Sequence, residues 1–187
     1  MDLEFLRTEL QKLNELKRNH ADYFEWHDKA VKELNIGLAF FRKLEELGSQ
    51  TLRNIDNAED PPDVKVTVEG GDIIGVEITE LVDQKAIELE IKKDSNYCFH
   101  VVGWDEKNTL EAIQRIITEK DSKCRAVPEY YETVSLLIFT DEPKLPIDTL
   151  DRYLKSYQPI ELKNIDNVYI LTGYDPKHGD ICLRKIQ

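Results

Sequence analysis

Asp63, directly behind Pro61-Pro62, and Glu77, within Gly75-Val76-Glu77-Ile78-Thr79, are the residues whose types and spacing carry the most chemistry in this chain. Carboxylates are hard oxygen donors, and two of them brought together form a seat for a divalent cation such as Mg²⁺. A cation held in a partly open shell can act as a Lewis acid and lower the pKa of a bound water. Fourteen residues separate the two acids, with Gly70-Gly71 between them, a spacing that predicts delivery by the two arms of one hairpin.

Register decides whether they meet. A three-residue Glu69-Gly70-Gly71 loop pairs Val68 with Asp72, Val66 with Ile74, Val64 with Val76 and Asp63 with Glu77. It gathers Val64, Val66, Ile74, Val76 and Ile78 on one apolar face and leaves Asp63, Lys65, Thr67, Glu77 and Thr79 on the other. A two-residue Gly-Gly turn would mix the faces, so burial favours the register that joins the acids.

The elements around the hairpin follow from periodicity. Leu3, Leu6, Leu10 and Leu13 predict an amphipathic helix. Val31, Leu34, Leu38 and Phe41, flanked by Phe40, Leu44 and Leu47, predict a second that ends at Gly48. These helices either pack on each other or form a homodimer seam. A polar connector over Thr51 to Asp60 leads to strands Asp63 to Val68 and Ile73 to Thr79. A third strand follows, with Tyr97 to Val102 favoured over Ala86 to Lys92. Asn108 and Glu111 resemble a capping box opening a helix that ends near Cys124, with Leu110, Ile113, Ile116 and Ile117 inward and Glu119, Lys120 and Lys123 outward. Val134 to Thr140 reads as a buried strand, Ile147 to Tyr157 as a helix, and Val168 to Thr172 and Ile181 to Lys185 as strands around a Gly173 to Gly179 loop. The order predicts an α/β or α+β fold with a mixed sheet. Residues 1–187 form one domain: N-terminal helices over 1–48, a core over 61–140 and a helix-strand-strand extension over 141–187.

At 187 residues, 41% hydrophobic and 33% charged, the chain has the composition of a globular domain, and its apolar runs are too short to span a bilayer. No secretory signal is visible, so a cytoplasmic address and no membrane partner are expected. Cys98, Cys124 and Cys182 are odd in number and widely spaced, as reduced thiols are. A net charge of −12 works against general affinity for nucleic acid, leaving room only for a local basic groove.

The core order, with Pro62-Asp63 opening one strand and Glu77-Ile78-Thr79 closing the next, resembles the PD-(D/E)XK nuclease superfamily and its restriction-endonuclease-like αβββαβ core. The phrases "PPDV", "IGVEITEL" and "LLIFTDEP" in that order carry the likeness, over about residues 30 to 140. The resemblance implies a Mg²⁺- or Mn²⁺-dependent nuclease acting on DNA rather than RNA. Asp63, Glu77 and the Ile78 carbonyl would be metal ligands, and Glu33 on the preceding helix would assist. The family's last motif position is lysine, where this chain has Thr79, and a neutral hydroxyl does not offset charge developing on phosphate. Lys120 is the preferred substitute, with Lys123, Lys85 and Lys65 as alternatives, while Glu45 and Glu46 are weaker candidates than Glu33.

Other constellations offer less. His20, His27, His100 and His178 are scattered, Ser49 and Ser135 lack a nucleophile-elbow context, and Gly70-Gly71 matches no phosphate-binding motif. Trp26, Trp104, Tyr130 and Tyr131 suit base stacking or burial equally, and the run Asp56 to Asp60 reads as a solvated connector. Beside the nuclease stands a second expectation: a non-catalytic protein that keeps the scaffold as an interaction or defence- or phage-associated module.

Overall fold

The computed structural model describes residues 28–49, 51–82, 104–142 and 144–187. The first predicted helix with its homodimer seam, both alternatives for the third strand, Lys85, Cys98, Trp26 and three of the four histidines lie outside those residues.

Helix α1, Lys29–Glu46, starts where Asp28 accepts the amide protons of Ala30 and Val31, at 2.9 and 3.4 Å. It stops where Gly48 adopts φ 68° and Ser49 N–H closes onto the Leu44 carbonyl, a left-handed ending that glycine favours. Its buried face is Ile36, Gly37, Ala39, Phe40, Phe41 and Leu44. Of the expected central stripe only Phe41 is buried, while Val31, Leu34 and Leu38 are half-buried; of the expected flank Phe40 and Leu44 are buried and Leu47 is exposed. Gly37 explains the rotation. A Cβ there would lie 3.2 Å from Ile55 and 3.4 Å from Val64, so the helix backbone is drawn onto the sheet along the glycine line.

The described strands form one six-stranded sheet in chain order: β1 Leu52–Asn57, β2 Val64–Val68, β3 Ile73–Glu80, β4 Thr133–Thr140, β5 Asn167–Asp175 and β6 Asp180–Lys185. Strands β1 to β3 form an antiparallel meander, β3, β4 and β5 run parallel, and β6 returns antiparallel. The connector expected at Thr51 to Asp60 is therefore mostly strand. Strand β1 reads as polar because it is an edge: only Leu52 and Ile55 turn toward the core, and the positions between are solvated.

The β2–β3 register is the one that burial favours, with Val64 opposite Val76 and Val66 opposite Ile74. Gly70 and Gly71 take φ 110° and 99°, and Val68 N–H bonds to the Asp72 carbonyl.

Helix α2, Glu106–Lys123, is capped by Asp105, three residues before the expected cap Asn108. Asp105 accepts the Asn108 N–H at 2.8 Å, placing a carboxylate at the positive end of the helix and Asn108 inside its first turn. A short 3₁₀ turn, Cys124–Ala126, leads toward β4, and helix α3, Ile147–Leu154, is one turn shorter than expected. Strand β5 runs on to Asp175, past its expected end at Thr172, and its pairing with β6 shifts between Leu171 and Tyr174.

Helix α1 covers one face of the sheet over Val64, Val66, Val76, Ile78, Leu137 and Phe139. On the other face Ile113, Ile117 and Leu150 of α2 and α3 join Leu81, Leu136, Ile138, Val168 and Ile170. Strand β4 is buried on both sides, as its unbroken apolar run requires. Strands β5 and β6 extend the same sheet. Among the described residues no helix is long and apolar enough to cross a membrane.

Candidate functional site

The two hairpin acids sit at the boundary between the layers. Chain leaving β1 turns through Asp60-Pro61-Pro62, and Asp63 then points its carboxylate across the end of β3. Its Oδ2 accepts the Ile78 N–H at 2.7 Å, which fixes the carboxylate to the strand that carries Glu77. Pro62 packs on Gly75 together with Tyr131. A Cβ at residue 75 would come within 3.0 Å of the proline ring and 3.2 Å of the tyrosine ring, so glycine lets the turn settle against β3.

Glu77 points to the opposite face from Val76 and Ile78, toward α2. It is 0% exposed, and Asp63 is 5% exposed. The last turns of α2 bring Lys120 and Lys123, three residues apart and so on one helix face, down onto it. Lys120 Nζ donates to Glu77 Oε1 at 2.7 Å and Lys123 Nζ to the same oxygen at 2.8 Å. Lys123 also reaches Asp60 Oδ1 at 2.6 Å. The other carboxylate oxygen, Glu77 Oε2, is buried without a hydrogen-bond partner among the described residues.

One carboxylate oxygen from each of Asp60, Asp63 and Glu77 lies within 4.8 Å of the other two. Oxygens sharing an Mg²⁺ through bonds of ~2.1 Å lie ~3 Å apart when adjacent and ~4.2 Å apart when opposite, so the three would draw together by up to ~2 Å to close on one ion. The donor set is all hard oxygen, and the orphaned Glu77 Oε2 is the kind of buried acceptor that a cation satisfies. These residues could hold Mg²⁺ or Mn²⁺.

Burial pushes the Asp63 carboxyl up to about 6; the Ile78 N–H works against the rise, while Glu77 and Glu33 add to it. Asp60 is held below the usual carboxylate range by its hydrogen bond from Lys123. Burial disfavours the Lys123 ammonium, but the bonds to Asp60 and Glu77 outweigh it and raise its pKa. Cys124, beside the cluster, is pushed up to about 12 by burial and by the Glu77 charge, so it stays a thiol.

No protein-family model matches the chain, and no curated protein or solved structure matches it either.

The geometry sorts the residues that the sequence singled out. Asp63, Glu77, Ile78, Lys120 and Lys123 come together, and both lysines turn inward to the acid where helical periodicity had set them outward. Thr79 is half-buried beside a surface recess that Lys29, Lys32 and Glu33 also line. Glu33 faces the acids through an intermediary: Lys29 pairs with Glu33 at 3.1 Å and stands 3.7 Å from Asp63. Lys65 lies across from Asp56 and Gly75 in the sheet. Glu45 and Glu46 do structural work, the first accepting the Leu52 N–H at 2.7 Å and the second pairing with Lys43. His178 pairs with Asp148 far along the chain, and Tyr130 stacks on Tyr131 at 4.4 Å.

Asp60 was missed. It closes an acidic run that resembles a solvated linker, and the only available signal was its position immediately before the two prolines that turn the chain into Asp63.

Proposed function

We propose that this protein is a divalent-metal-dependent nuclease built on a restriction-endonuclease-like core and hydrolysing DNA phosphodiester bonds. The observation that carries this reading is the convergence of two buried hairpin acids, Asp63 and Glu77, with Lys120 from a helix remote in sequence. The order α1, meander β1–β3, α2, then β4 parallel to β3 supports it, with the acids at the opening of β2 and in the second half of β3. With β1 taken as its first strand, an αβββαβ core would follow this order among the described residues; the third strand expected from the sequence lies outside them.

Asp63 and Glu77 hold Mg²⁺ or Mn²⁺, and Asp60 adds a third carboxylate. The N–H and C=O of one strand residue point to the same neighbour, so the Ile78 carbonyl leaves β3 on the Asp63 side. Bound metal supplies a polarised phosphodiester and an acidified water. Lys120 brings the positive charge that Thr79 cannot, set against charge developing on the phosphate. Glu33 tunes the site through Lys29. DNA is preferred to RNA on the family resemblance alone.

The test is Mg²⁺- or Mn²⁺-dependent cleavage of a plasmid, abolished in Glu77→Ala. A second reading keeps the scaffold as a non-catalytic interaction module. It is favoured by Glu77 Oε1 already receiving two ammonium groups and by the net charge of −12. Absence of both cleavage and calorimetric Mn²⁺ binding would decide for that module.

A further inference from the structure

The lysine at the end of α2 has a geometry that Lys120 lacks. Lys120 contacts Glu77, whereas Lys123 bridges Asp60 Oδ1 and Glu77 Oε1 at 2.6 and 2.8 Å. A cation on the three carboxylates must lie between those same two acids, and an ammonium group cannot share that volume. We infer that the Lys123 ammonium and a divalent cation are alternative occupants of the position between Asp60 and Glu77, so that metal entry turns Lys123 outward. The inference rests on the metal site proposed above and adds to it a built-in competitor.

Charge balance supports exclusion. Lys29 beside Asp63 is offset by its own partner Glu33, so Lys120 and Lys123 leave the three carboxylates one positive charge short, a dication with Lys120 alone balances them, and a dication with both lysines overshoots. Access supports it too: the Lys123 side chain is 37% exposed against 23% for Lys120, and Asp60 is itself exposed, so the long stem has a direct route to water. Turned outward at the rim of the site, the ammonium is a cation available to a phosphate. Lys123 is then a positioning residue whose place depends on the metal.

The experiment has two arms, neither read through cleavage. In the wild-type protein, acylation of Lys123 by an amine-reactive ester, followed by peptide mass spectrometry, should rise several-fold as Mn²⁺ saturates, with Lys120 unchanged. In Lys123→Met, which keeps the stem and removes the charge, calorimetric Mn²⁺ affinity should rise roughly tenfold. Asp60→Asn should remove that gain, and Glu77→Gln sets the background of unspecific Mn²⁺ binding. Mn²⁺ binding to the wild type with flat Lys123 labelling, or with equal affinity in a folded Lys123→Met, would overturn the exclusion and leave the metal site standing. No Mn²⁺ binding above background in either protein would overturn both. If Lys123→Met does not fold, the wild-type labelling decides.

Discussion

Replacing Glu77 by glutamine keeps the side chain's shape and removes the charge on which both lysines converge. Breaking a buried ion pair by deleting one partner costs about 3–5 kcal/mol. Here the cost is smaller on two counts. Lys120 and Lys123 keep partial access to water, and Lys123 retains Asp60. Removing the charge also relieves repulsion against Asp63, whose own carboxyl Glu77 pushes upward. A net loss of about 2 kcal/mol is expected, which for a chain of this size lowers Tm by about 4–8 °C. The assay is thermal unfolding at pH 8 in EDTA, then in Mn²⁺. With Mn²⁺ at a hundred times its dissociation constant the wild type should gain a further ~2.7 kcal/mol, while Glu77→Gln gains almost nothing. The gap between the proteins therefore widens with metal. A Glu77→Gln protein more stable than wild type in EDTA would refute the reasoning, because burying the carboxylate would then cost more than the lysines return.

Three further outcomes are expected. Lys120→Met should reduce plasmid cleavage roughly 10²-fold at saturating substrate with Mn²⁺ affinity unchanged or tighter, as loss of a group that acts on developing charge does. Gly75→Ala should destabilise by about 1–3 kcal/mol in urea titration, because its Cβ meets Pro62 and Tyr131. Asp141, pushed up to about 6 by burial and by Glu142 and Glu80, binds more protons folded than unfolded between 3.8, the ordinary value of an aspartate, and about 6. Its contribution is full below that window and lost as pH rises through it, so Asp141→Asn should flatten the fall in the urea midpoint between pH 4 and pH 7.

The hairpin was legible because its physics is local. Alternating valines and isoleucines must share a face, and a glycine pair must take positive φ, so only one register satisfies both. The inward turn of Lys120 and Lys123 was not legible. On a helix, lysines facing water and lysines facing a buried carboxylate on a strand beneath have the same pattern, and only the partner distinguishes them. Strand β1 escaped because an edge needs few apolar residues, and Asp60 escaped because an acid in an acidic run gives no sign of folding back. The buried face of α1 turned on Gly37, a residue whose effect lies in what it lets the neighbouring backbone approach.

The origin of the site's charges in the chain also orders its assembly. Asp63 and the strand carrying Glu77 meet across 15 residues, a loop that closes among the earliest events of folding. The lysines that neutralise Glu77 arrive from 43 and 46 residues away, once α2 has docked on the sheet. Two carboxylates are thus crowded together before their counter-charges come, and the hairpin must nucleate against its own electrostatics. Mild acid, or a divalent ion taken up by the nascent hairpin at the proposed metal site, would lift that early penalty and speed the folding of this chain.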